Sequence, residues 1–208
     1  MSKSNKYRVY NGKNLKKIYM NSRVYMLILM FAAGIIIGAF SVNKDSASSE
    51  RIIKIADAFT FQRAGQGISE IFLQSFTFNG IFSALCFFLG FSLIGYPLII
   101  WLPFLKGLGF GAFCGYLYSS FSLIGIGYSA AIVYPGAIVS VFSLILSCND
   151  ACDYSKNAFL KSVYGKGQFE KDETKIYIIR QLVFTAVTAI SSIIDALVSI
   201  IFSRFFEI

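Results

Sequence analysis

Gly107 to Asn149, GLGFGAFCGYLYSSFSLIGIGYSAAIVYPGAIVSVFSLILSCN, is a run of forty-three residues without one charged side chain. A bilayer core about 30 Å thick is crossed by roughly 20 apolar residues in an α-helix, so the run is too long for one span and sufficient for two. The pair has to turn near its middle. Ser119, Ser120, Ser122, Gly125 and Gly127 supply the turn residues there, giving expected spans at 108–121 and 127–147. Upstream, Ser75 to Leu105 is also free of charge and has Pro97 and Pro103 near its end; it is read as one span over 76–100. Val24 to Val42 gives another span, and Gln181 to Ser203, interrupted only by Asp195, gives the last.

Five spans at 24–42, 76–100, 108–121, 127–147 and 181–203 place the chain in the all-α class. The expected architecture is a polytopic integral membrane helical bundle with additional interfacial amphipathic helices. A basic arm, 1–23, precedes a single membrane domain, 24–208. The composition agrees: 56% of the 208 residues are hydrophobic and 14% charged, whereas globular chains carry about 25% charged residues. A signal peptide is the competing reading of the first apolar run. That run exceeds the usual 7–15 residue core of such peptides and no A-x-A site follows, so it is expected to be a retained anchor.

The formal charge of +8 would suggest nucleic acid were it not for where the bases sit. With the N-terminus in the cytoplasm, the inner segments hold fourteen Lys and Arg, counting Lys106, and the outer segments hold five. That asymmetry sets orientation and puts the C-terminus outside. Nucleic acid is therefore not an expected partner. The arm, with seven bases and no acid, is expected to meet anionic lipid headgroups.

Two segments outside the spans have shape. In the outer segment 43–75, Ile52, Ile55, Ala56 and Phe59 fall at i, i+3, i+4 and i+7 and make one apolar stripe, suited to lying along the membrane surface before Gly65 and Gly67; a plain tether is the competing reading. In the inner segment 148–180, Ala151, Ser155, Ala158 and Ser162 form a narrow face, followed by the turn Gly165-Lys166-Gly167. It reads as a helical hairpin.

The chain has no histidine. Serine-type and zinc-type intramembrane proteolysis both require one, and an aspartyl type requires two carboxylates sharing a proton where only Asp195 lies in a span. No catalytic residue, cofactor or metal site is expected. Cys148, Asp150, Cys152 and Asp153 cluster but lack further ligands for a closed zinc site, and no structural disulfide is expected. Asp195 is the intramembrane polar candidate, because a carboxylate in hydrocarbon needs a partner or a cavity; Ser191, Ser192 and Ser199, each one turn away, are the local candidates. Gly34 and Gly38 form one G-x-x-x-G, and Gly107, Gly111 and Gly115 a double one. Such faces serve either packing within the bundle or docking of another membrane protein. Trp101 and Lys106 are expected at the inner interface as anchors.

From Phe78-Asn79-Gly80 through Gly90 and Gly95-Tyr96-Pro97 to Phe104-Leu105-Lys106-Gly107-Leu108-Gly109-Phe110-Gly111, with Gly115 and Tyr118 following, the middle of the chain resembles the stage II sporulation protein M family of endospore-forming bacteria. The matched stretch is roughly 76–118; elsewhere the agreement is in length and span count. The resemblance implies a non-enzymatic, multi-pass membrane scaffold of engulfment. It would act in the mother cell septal membrane and anchor two peptidoglycan-degrading partners, stage II sporulation proteins P and D. It carries over no catalytic residue and does not cover Asp195. Homo-oligomerisation is compatible with the glycine motifs. The alternative reading is a permease or channel subunit with Asp195 lining the path.

Overall fold

The structure is a computed structural model that describes residues 3–42, 67–92, 94–164 and 171–203. These residues form five long helices: α1 (Lys3–Ser41), α2 (Ile68–Phe91), α3 (Gly95–Tyr128), α4 (Tyr134–Tyr164) and α5 (Lys171–Ser203). A π-helical turn, Ser129–Val133, joins α3 to α4, and no strand occurs among the described residues. Each helix carries a stretch long and apolar enough to cross a membrane: Ser22–Ser41, Ile68–Phe91, Gly95–Phe121, Ser129–Ser162 and Glu173–Ile201. The protein is an all-α helical bundle with five such helices.

The second and third spans differ from the expected limits. α2 begins eight residues before Phe76 because Glu70, in its first turn, accepts from the Gly67 N–H at 3.4 Å and caps the helix. It ends at Phe91, not near Ile100. Pro97 marks a beginning, since the first turn of a helix has N–H groups with no partner inside the helix, and a residue lacking one fits there. The bend at Ser92 is closed by hydrogen bonds from Ser92 N–H to Leu89 O and from Gly95 N–H to Ser92 O, both 3.1 Å.

The chain doubles back within the last turns of α3, among the serines and glycines expected to turn it. The Phe110 and Tyr134 rings stand 5.7 Å apart. A Cβ on Gly125 would overlap the Leu117 carbonyl group, eight residues earlier, although a straight helix would separate the two by about 12 Å. The π turn then precedes Pro135, whose missing N–H and bulky ring break the ordinary i to i−4 ladder. The preceding N–H, that of Tyr134, reaches back five residues to Ser129 O.

Two kinds of seam hold the bundle. α1 packs chiefly on α3, and the contacts Phe31–Gly107, Ile35–Gly111 and Ala39–Gly115 advance together along both helices, so the two run parallel. α4 and α5 are joined by polar side chains: Ser143 Oγ donates to Phe184 O at 2.8 Å, Ser147 Oγ to Gln181 Oε1 at 2.7 Å, Gln181 Nε2 to Ser147 O at 3.2 Å, and Ser191 Oγ to Gly136 O at 2.7 Å. Lipid gives apolar faces no reason to associate, so close backbone contact and interhelical hydrogen bonds supply the cohesion. The large side chains facing outward are apolar, among them Leu29, Phe40, Phe88, Ile138, Phe142 and Leu182.

At the end away from the π turn, α4 and α5 continue as an antiparallel pair. Tyr154 stacks on Tyr177 at 4.3 Å and shares a 3.0 Å hydrogen bond with Thr174, while Lys161 pairs with Glu173. Of the small face begun by Ala151, Ala151, Ser155 and Ala158 are buried and Ser162 is exposed; Ser155 donates to Ser92 O at 2.8 Å, tying the hairpin to the α2–α3 bend. The stripe from Ile52 to Phe59 and the Gly165-Lys166-Gly167 turn lie outside the described residues.

Candidate functional site

The five glycines singled out in the sequence meet in one place. A Cβ on Gly34 would overlap the Phe104 carbonyl and stand 2.9 Å from Leu108 N; one on Gly38 would overlap the Leu108 carbonyl and stand 2.8 Å from Ala112 N. From the other side, Gly107 faces Phe31 O, Gly111 faces Ile35, and a Cβ on Gly115 would come within 2.9 Å of Ala39 O. Both motifs are occupied by each other, within the chain.

Gly109 lies between Gly107 and Gly111 in sequence yet points elsewhere, because two residues along a helix turn the direction by about 200°. A Cβ there would meet nothing within 4 Å. It borders an open cavity of about 330 Å³ lined by α2, α3, the π turn, α4 and α5. Phe78, Phe110, Phe113 and Val141 supply apolar walls, while Ser75, Asn79, Lys106, Ser140, Ser191 and Asp195 supply polar atoms.

Lys106 is the residue whose place differs most from expectation. It lies eleven residues into the Gly95–Phe121 stretch, about 16 Å along the helix axis. It is 6% exposed, so its side chain is turned into the bundle rather than outward. Its Nζ donates to Ser140 Oγ at 3.1 Å and stands 5.9 Å from the Phe82 ring, and Ser140 Oγ in turn donates to Ala137 O at 3.1 Å. Trp101, six residues into the same span, is 54% exposed on the outward surface.

Asp195 also lines the cavity. Its carboxylate accepts from Ser75 on α2 rather than from the serines of its own helix that the spacing suggested: Ser191 donates to Gly136 O and Ser192 to Thr188 O. A Cβ on Gly136 would lie 2.9 Å from Asp195 Cβ. Gly136 and Ser140 are one turn apart on α4, so Asp195 and Lys106 reach the same face of α4 on adjacent turns.

At the other end of the bundle the cysteine and aspartate cluster is divided among ion pairs and packing. Asp153 pairs with Arg23 and Asp150 with Arg180 at 2.8 Å. The Cys86 and Cys148 sulfurs lie 3.7 Å apart in the core with Cys152 buried nearby, and no group of three potential metal ligands forms among the described residues. Sequence reasoning missed the role of Ser140 and the depth of Lys106. The signal available was the continuation of the small stripe backward from Ala151 through Ser147, Ser143 and Ser140 to Gly136, at spacings of three and four.

A family model described as Stage II sporulation protein M matches residues 27–200, from the first span to the last. No curated protein and no solved structure matches the chain.

Proposed function

Because the chain belongs to the stage II sporulation protein M family, it is a sporulation membrane protein, and we propose that it works as a non-catalytic scaffold of engulfment. In this reading it holds peptidoglycan-degrading partners, stage II sporulation proteins P and D, at the mother cell septal membrane. The observation that carries the reading is the family match over nearly the whole membrane body. The side-chain chemistry is compatible with it: the five glycines and several hydroxyls are committed to seams between spans, and the chain holds no histidine.

The internal glycine seam narrows where partners would dock. With Gly34, Gly38, Gly107, Gly111 and Gly115 facing one another, the docking surface we propose is the 43–66 segment between α1 and α2. Charge reversal at Arg51 and Lys54 is expected to abolish co-purification of the hydrolases from sporulating cells while the protein still inserts and melts normally. Unchanged co-purification would overturn this docking surface.

The placement of Lys106 and Asp195 in one cavity favours a second reading, a permease or channel subunit, since opposite charges inside spans mark solute or ion paths. Proteoliposomes with the purified chain would then show a solute flux that Asp195→Asn removes. Absence of flux from the parent protein would count against it.

A further inference from the structure

A basic side chain in the interior of a membrane bundle is costly unless an acceptor meets it. Lys106 has one: Ser140 accepts at 3.1 Å, and because its hydroxyl hydrogen is directed to Ala137 O, Ser140 holds Nζ from one side only. A lysine carries three donors, and the Ser140 contact uses one of them. Phe82, 5.9 Å away, adds the face of a ring. Nζ is thus held at the wall of the cavity by one hydroxyl and a ring face.

The cavity around it has the form of a small-molecule site, apolar walls with a few convergent polar groups. Its mouth is lateral. Phe78, on its edge, is 49% exposed, Gly109 beside it is exposed, and both lie within membrane spans, so the medium they face is hydrocarbon. The volume of about 330 Å³ is at the small end of ligand pockets, which run from about 300 to 1,000 Å³. That suits one slender chain with a small head better than a helix about 10 Å across.

We propose that this cavity binds a single-chain amphiphile with a carboxyl head, entering sideways from the bilayer so that the head's carbonyl oxygen accepts from Lys106 and the chain lies along Phe78, Phe110 and Phe113. Asp195 on the same cavity leaves the site with one basic and one acidic side chain and no net formal charge. The ligand therefore enters as the neutral acid, the form that dissolves in hydrocarbon. The proposal stands apart from the scaffold reading, because recruitment through 43–66 requires no ligand.

The test uses the full chain in phospholipid nanodiscs and a twelve-carbon carboxylic acid bearing a photoreactive diazirine at its chain end. Light should attach the probe to peptides of α2 and α3 that line the cavity, and dodecanoic acid should compete at least tenfold better than dodecane. Lys106→Met should weaken that competition at least tenfold. Gly109→Leu, whose side chain extends into open space rather than into the α1 seam, should abolish labelling while the melting temperature stays within a few degrees. Equal labelling of Gly109→Leu and parent overturns the proposal, as does equal competition by dodecane and dodecanoic acid, which would make the cavity a space filled by ordinary lipid tails. Gly109→Leu decides the matter alone if Lys106→Met does not insert.

Discussion

Gly90 illustrates how little room the bundle leaves. A Cβ there would overlap the Tyr177 hydroxyl and come within 2.7 Å of its Cζ, while that hydroxyl donates to Phe87 O at 3.1 Å. Overpacking of this kind costs about 1–3 kcal/mol, so Gly90→Ala should lower stability by that amount in thermal or denaturant unfolding in detergent. Tyr177→Phe in the same chain should recover part of the loss; strictly additive losses would show that the two residues do not collide. Single residues also show what was legible in advance. Asp195 was, because one carboxylate in an otherwise uncharged run has no ordinary explanation in lipid. Lys106 was not: a lysine shortly after Pro97 and Pro103 has the pattern of a span boundary. Only the start of α3 at Gly95 shows that Lys106 sits eleven residues into a helix.

At the scale of elements, spacing read packing well and partners poorly. The i, i+4 glycines marked faces for close approach, but sequence spacing on one helix does not say which neighbour occupies the face; the parallel contact of α1 with α3 does. The two faces of Gly107–Gly111 give a direct comparison. Gly111→Leu drives a side chain into Ile35 backbone and should prevent the α1–α3 seam from closing, read as a lower melting temperature and protease cleavage between the helices. Gly109→Leu should leave both unchanged. Equal damage from the two substitutions would contradict the seam. The α4–α5 seam distributes its cohesion over many hydroxyls, each contributing about 0.6 kcal/mol in membrane helices, so Ser143→Ala alone should shift stability by about that much. The turn was legible from Ser119 to Gly127. The π register was not, since it follows from Pro135 acting on the geometry of a bend already made.

For the whole molecule, composition was sufficient to place the chain in lipid and to count its spans, because both depend on sums over many residues rather than on any one. The orientation proposal survives the relocation of Lys106: without it, thirteen basic residues remain on the N-terminal side against five on the other. Cysteine substitutions at positions 44 and 60 should react with an impermeant maleimide in intact cells, whereas one at position 13 should react only after permeabilisation. The opposite pattern would invert the topology. The scaffold reading joins orientation, family and the 43–66 segment in one claim, and an in-cell crosslink tests it most directly. A photoreactive amino acid at position 54, illuminated in sporulating cells, should capture a peptidoglycan hydrolase of the stage II group. Capture of lipid or further copies of the chain alone, with the hydrolases still reaching the septum when this protein is deleted, would contradict it.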